Sequence, residues 1–446
     1  MQVTQLNWLS ASDAARALRD GAISSEQLVE ACLARVRQVD ANVQAWAFLD
    51  PEHALAQARA LDERRKEGAP QGALHGVPVG VKDIIDTHDM PTEDGTVLHA
   101  GRMPADDATV VSRLRAAGAV IMGKTVTTEL ATYAPGKTRN PHDAGHTPGG
   151  SSSGSAAAVA AGMIPAALGS QTNGSVIRPA AYCGVYGFKP THGLISRHGV
   201  LRLSRTLDQL GVFARSIEDL ALVCEQAVGY DEHDTDTFPP RARTPFSEIA
   251  SQEPPLPPRI AFVKTPIWDE TEPETREAFE ELTGQLGDRV QEFTLPENAR
   301  EALDWHRTIM EAEMAAGLVA EYEKGADKLS ESLRGQLERG RRITALEYQI
   351  ALARIPQLIA GMSRLFDGFD AILTPAAAGT APHGLQSTGS PAFCTLWTLC
   401  GMPALNLPLM QGSNGLPLGA QLVGARHDDA RLLRTARWLA AQIEAD

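Results

Sequence analysis

Residues 145–185 constrain this chain more than any other stretch. They are dense in Gly, Ser, Thr and Ala and poor in charge. Small residues let one backbone approach another, or a ligand, closely. A Gly-Ser linker has a similar composition, but a linker rarely carries apolar runs such as AAAVAAGMIPAAL and VIRPAAYCGVYGF. The segment therefore reads as closely packed backbone rather than a flexible connection.

The flanking sequence has the rhythm of an α/β protein. Residues 24–36 repeat Val29, Cys32, Leu33 and Val36 at helical spacing, and Ser24 with Gln27 forms a capping box. An Ala-rich helix follows near 51–66. Residues 76–82 (GVPVGVK) are β-branched and glycine-flanked, which predicts a strand. Residues 107–117 predict a helix with Gly118 as its C-cap, and Ala119 to Met122 a buried strand. Residues 232–258 begin acidic and turn proline-rich (FPPRARTPF, EPPLPPR), as a surface connection does. RIAFVK predicts another strand, and 270–365 is mostly charged amphipathic helix. FDAILTP, PALNLPLM, LPLGAQLVG and the closing helix DDARLLRTARWLAAQ complete a final α/β stretch.

Several function classes are disfavoured. The five cysteines (Cys32, Cys183, Cys224, Cys394 and Cys400) are scattered and form no CxxC, against a zinc site or disulfide framework. They suit a reducing compartment. The first residues lack a basic region followed by an apolar one, and no run of about 18 apolar residues occurs. A cytoplasmic protein with no membrane partner is expected. The net charge of −14 argues against a nucleic-acid surface. Neither a cofactor nor a metal is expected, and the chain is read as a monomer or homodimer.

One motif is misleading. Gly118 to Thr125 matches the P-loop pattern GxxxxGK[ST]. Its middle residues, Ala119, Val120, Ile121 and Met122, are strand-forming core residues, whereas a P-loop needs a phosphate-cradling turn there.

Three other phrases carry chemistry. Gly149-Gly150-Ser151-Ser152-Ser153-Gly154-Ser155 precedes an Ala-rich helix. Twenty-four residues beyond Ser151 stands Ser175, within QTNGSVIRP, followed by GVYGFKPT. Upstream, Lys82 closes GVPVGVK. Singly, a lysine after a strand is usually a snorkelling side chain, and a serine in such a loop a turn former. In this order and spacing the phrases resemble the amidase signature family. The resemblance spans nearly the whole chain and is weakest over 230–365.

The resemblance implies an α/β fold of amidase signature type, an α/β/α sandwich with a large central mixed β-sheet covered by helices. It implies one domain, 1–446, with 232–365 a variable helical region shaping the substrate entrance. Ser175 would be the nucleophile, Ser151 a bridging serine at a cis peptide, and Lys82 the terminal base. The backbone N–H groups of Thr172, Asn173, Gly174 and Ser175 would form the oxyanion hole. The chemistry is coherent, because a serine hydroxyl needs a base and a lysine serves only when neutral. Apolar surroundings favour that state, and Val77, Val79 and Val81 supply them.

Two departures matter. Many family members carry Asp four residues before the nucleophile and Arg two after it. Here Gln171 and Ile177 occupy those places, and the arginine is Arg178. Gln171 is expected to replace an ion pair by neutral hydrogen bonds, with Arg178 and Asp208 as structural partners. Asn173 stands where glycine is frequent, and its side chain is expected to hold the loop. Tyr133 and Ser152 are the candidate substrate-binding residues. Further walls are expected in 130–136, in the variable helices including Trp305, and near Trp397.

The resulting expectation is an amidase acting on neutral amides, anilides or carbamates (urethanes), with esters within its chemical range. The alternatives are the glutaminase subunit of a tRNA-linked amidotransferase, a urea-derivative hydrolase, and a non-catalytic binding protein on this fold.

Overall fold

Both faces of strand β2 (Pro78–Lys82) are buried, as a strand covered by helices on each side requires. Strands β3 (Val120–Thr125) and β4 (Ala166–Gln171) are buried from end to end as well. Each runs parallel to β2, one on either side. The computed structural model describes residues 3–238, 245–295 and 297–444. Residues 239–244, within the FPPRARTPF phrase, lie outside the described residues.

The other strands are β1 (Trp46–Leu49), β5 (Tyr186–Lys189), β6 (Gln209–Ala214), β7 (Ile260–Lys264), β8 (Val290–Thr294), β9 (Ala371–Pro375), β10 (Ala404–Gln411) and β11 (Pro417–Val423). Among the described residues they form one sheet in the order β1-β3-β2-β4-β6-β5-β10-β11-β9-β7-β8. The middle, from β4 to β9, pairs antiparallel. Two parallel groups flank it, β3-β2-β4 and β9-β7-β8. This is the large mixed sheet expected, with helices packed against it.

Most predicted elements stand where their patterns place them. The first long helix runs Ser25–Val43, and both halves of the Ser24–Gln27 capping box form. The next spans Pro51–Lys66. Gly118 follows the Thr109–Ala116 helix with φ +89°. The P-loop look-alike is strand: β3 runs through Thr125, and the buried Lys124 Nζ donates to Ile85 O and Thr92 Oγ1 at 2.7 and 2.5 Å. All five cysteines are buried and unpaired. No helix of the described residues is long and apolar enough to cross a membrane.

The small-residue segment becomes two buried helices, Ser153–Ala160 and Ile177–Cys183, with β4 between them. Gly154 shows why side chains are minimal here. A Cβ added to it would lie 2.2 Å from Ala45 O and 2.3 Å from Val126 N. That distance is far inside van der Waals contact, so any larger residue would push the helix off its seat.

Candidate active site

Because β2, β3 and β4 are parallel, their C-terminal ends share one edge of the sheet, the place where α/β folds collect ligand-binding groups. Lys82 is the last residue of β2 and Gln171 the last of β4. The chain leaving β4 turns through residues 172–176 into the Ile177–Cys183 helix. Ser151 lies two residues before the Ser153–Ala160 helix, at a cis Gly150–Ser151 peptide.

Lys82 is wholly buried, and its Nζ donates to Ser151 Oγ at 2.6 Å and to Ser170 Oγ at 2.8 Å. Burial pushes its pKa down to about 7, with Asp208 pulling weakly the other way. A neutral amine is therefore accessible near neutral pH. Asp208 accepts from Thr172 Oγ1 at 2.7 Å and from the N–H groups of Leu203 and Ser204 at 2.9 and 2.8 Å. Its own burial raises its pKa to about 6.

Ser175 lines a small cavity together with Thr172, Asn173, Gly174 and Tyr133. Met310, Met314 and Gln336 close the cavity from the Glu301–Gly317 and Glu331–Gly340 helices. Among the described residues, the N–H groups of Asn173, Gly174 and Ser175 donate to no backbone or side-chain acceptor. They are free to meet an oxygen in the cavity. Their number and place fit an oxyanion hole.

Gln171 is buried and fully engaged. Its Oε1 accepts the N–H groups of Val176 and Ile177 at 2.8 and 3.0 Å, and its Nε2 donates to Thr398 Oγ1 at 2.9 Å. Neutral hydrogen bonds thus stand where an ion pair would. Arg178, also buried, donates from Nη2 to Gly150 O at 2.7 Å and to Thr388 Oγ1 at 3.1 Å. It tethers the residue before Ser151 to the helix that follows Ser175. Asn173 is held from two sides: Nδ2 donates to Tyr133 OH at 3.2 Å, and Oδ1 accepts from Thr395 Oγ1 at 2.7 Å.

Other expected residues face elsewhere. Ser152 Oγ exchanges hydrogen bonds with the backbone of Ser170, at 3.1 and 3.2 Å, and does not line the cavity. Trp305 sits under the Arg354 guanidinium, 5.6 Å from it, and Trp397 is wholly buried in the core. The walls come from Ala131, Thr132 and Tyr133 of the expected 130–136 stretch, from Met310, Met314 and Gln336 on the variable helices, and from Pro391. Sequence reasoning also missed Ser170, His306 and Thr398, which touch Lys82 and the loop before Ser175. His88, Asp89 and Asp107 cluster elsewhere with metal-like spacing. Their carboxylates already pair with Arg115, at 2.7 and 3.1 Å.

The amidase family model matches residues 27–433. A glutamyl-tRNA(Gln) amidotransferase subunit from Chloroflexus aggregans is 38% identical, over 97% of this chain and 96% of that protein. A chain from a structure described as an unexpected vestigial protein complex that reveals the evolutionary origins of an s-triazine catabolic enzyme superposes with a TM-score of 0.90 at 28% identity, covering 97% of this chain and 98% of the other. The native peptide amidase of Stenotrophomonas maltophilia gives 0.85 at 29% identity, over 98% and 97%. By its sheet, a family match over nearly the whole chain and its relatives, the chain belongs to the amidase signature family of hydrolases that act on C–N bonds.

Proposed function

We propose that this chain is an amidase that opens neutral amides, anilides or carbamates through an acyl-enzyme on Ser175. Neutral Lys82 draws the proton of Ser151, which in turn draws that of Ser175. The Ser175 oxygen attacks the substrate carbonyl, and the N–H groups of residues 172–175 receive the negative oxygen that forms. Each such donor is worth roughly 10²–10³-fold in rate. Collapse expels the amine, which takes its proton back through Ser151. Water then releases the acyl group by the same relay.

The observation that carries this reading is Lys82, wholly buried and hydrogen-bonded to Ser151 Oγ at 2.6 Å. Methionines 310 and 314 in the cavity wall favour an uncharged, partly apolar substrate. The helical stretch 232–365 is read as the entrance region of a single-domain enzyme, and buried free thiols suit a cytoplasmic setting. The decisive experiment runs a primary amide, an anilide, a carbamate, a urea and an ester against wild type and Ser175→Ala. Turnover of any of them should vanish in the variant. Undiminished hydrolysis would remove Ser175 from the mechanism, and no turnover of any substrate by wild type would favour a binding protein.

A second reading has one specific support, the 38% identity to a component of an amidotransferase. In that case the chain would work as a glutaminase only with partner subunits. Gln171, Asn173 and Arg178 depart from the commonest family pattern, which favours a stand-alone amidase. Glutaminase activity appearing only on addition of partner chains would reverse the choice.

A further inference from the structure

The loop that carries Ser175 is held from outside the sheet. His306 lies in the Glu301–Gly317 helix and is 1% exposed. Its Nε2 is 2.9 Å from the carbonyl oxygen of Thr172. A carbonyl can only accept, so Nε2 carries the proton and Nδ1 does not. Burial lowers the pKa of the ring to about 4, so it stays neutral through the working range.

The contact fixes a peptide plane. In a trans peptide the C=O and the following N–H point in opposite directions, and among the described residues the cis bond is Gly150–Ser151. With the Thr172 carbonyl turned toward His306, the N–H of Asn173 is turned away from it. Thr398 Oγ1 does the same one residue later, donating to Asn173 O at 2.5 Å and so directing the N–H of Gly174. Thr172 Oγ1 is meanwhile anchored on Asp208. Asn173 and Gly174 both line the Ser175 cavity.

We propose that His306 is a positioning residue for the oxyanion hole: its Nε2–H pins the Thr172 carbonyl so that the Asn173 N–H meets the tetrahedral oxygen. The inference rests on the acyl-enzyme reading of Ser175. It assigns a share of the rate to a helix of the variable region, which otherwise only walls the substrate.

The test compares His306→Phe, which removes the donor, with His306→Gln, whose amide nitrogen reaches about as far as Nε2, and His306→Asn, whose amide does not. Kinetics on the best anilide are joined to inhibition by a trifluoromethyl ketone, which mimics the tetrahedral state, and by the product acid, which does not. His306→Phe should lose about 10- to 100-fold in kcat, a part of what a missing donor removes, with KM within about twofold. Trifluoromethyl ketone affinity should fall by a similar factor and product affinity should hold. His306→Gln should restore most of the loss and His306→Asn should not. If His306→Phe does not fold, the Gln-to-Asn difference in kcat decides alone. Unchanged kcat in a folded His306→Phe, equal rates for Gln and Asn, or a loss shared equally by ketone and product acid would overturn the proposal. An active Ser175→Ala enzyme would instead overturn the acyl-enzyme reading beneath it.

Discussion

Lys82 Nζ lies 2.6 Å from Ser151 Oγ, with both side chains closed off from solvent. Proton transfer toward this amine needs its neutral form. With the pKa lowered to about 7, kcat/KM should climb with pH below about 7 and level off above it. A profile from pH 5 to 10 checks this. A rate still climbing at pH 10 would mean an unshifted lysine, and a profile flat down to about pH 5 would mean another base.

The same shift has a stability signature. The folded pKa of Lys82 lies below its unfolded value, so the unfolded chain binds the extra proton between about pH 7 and 10.5. Stability from this group therefore rises with pH across that window. Other buried lysines, Lys124 and Lys189, titrate in the same direction. The useful quantity is thus the difference between wild type and Lys82→Met. Urea unfolding at pH 7 and pH 10 should show wild type gaining on the variant as pH rises, while the variant has lost its activity at both.

Gln171→Leu should destabilise the fold by about 2–4 kcal/mol, because it leaves the N–H groups of Val176 and Ile177 buried without an acceptor. Gln171→Glu keeps that acceptor and loses only the donor to Thr398, so it should fall between the two. Denaturant midpoints give the ranking, and a Gln171→Leu protein as stable as wild type would contradict it.

Tyr133→Phe removes the partner of Asn173 Nδ2 while keeping the ring in the cavity wall. Stability should change by less than about 1.5 kcal/mol, the scale of one hydrogen bond. The activity should fall several-fold as the loop before Ser175 loosens. Steady-state kinetics that match wild type would show that Thr395 alone holds Asn173.

Chelation should leave the rate unchanged. The proposed relay of Lys82, Ser151 and Ser175 offers no set of ligands for a metal, and the carboxylates of the His88, Asp89 and Asp107 group are paired with Arg115. Assays before and after EDTA dialysis test this, and a rate restored only by an added divalent ion would refute it.

Much of the site was legible because its parts lie in short, distinctive phrases. Lys82 ends a valine-rich strand, and Ser151 and Ser175 sit in runs of small residues that only close backbone packing explains. What stayed hidden depends on which helix lands on which loop. His306 is 134 residues from Thr172, and Thr398 is 225 from Asn173. Neither contact leaves a local trace, because a histidine or threonine in an amphipathic helix looks the same whatever it touches. The variable helices were legible as wall, but not which of their residues face the cavity: unbranched Met310 and Met314 line it, while Trp305 lies under Arg354 and Trp397 serves the core. Strand β8 was concealed within a helical stretch for a related reason. It pairs on one side only and reads VQEFT, with Gln291 and Glu292 exposed, so it lacks the continuous apolar run of a covered strand.

The wall formed by Met310, Met314 and Gln336 hangs on helices that take no part in the sheet's ladder of hydrogen bonds. That separation invites engineering by transplant: residues 301–340 could be exchanged for a relative's segment to import a new appetite, with the strands left alone. The contact from His306 attaches a condition. A borrowed segment with no N–H donor that reaches the Thr172 carbonyl would recognise its new substrate and then turn it over slowly, so screens for grafted enzymes should be read by rate and not by binding.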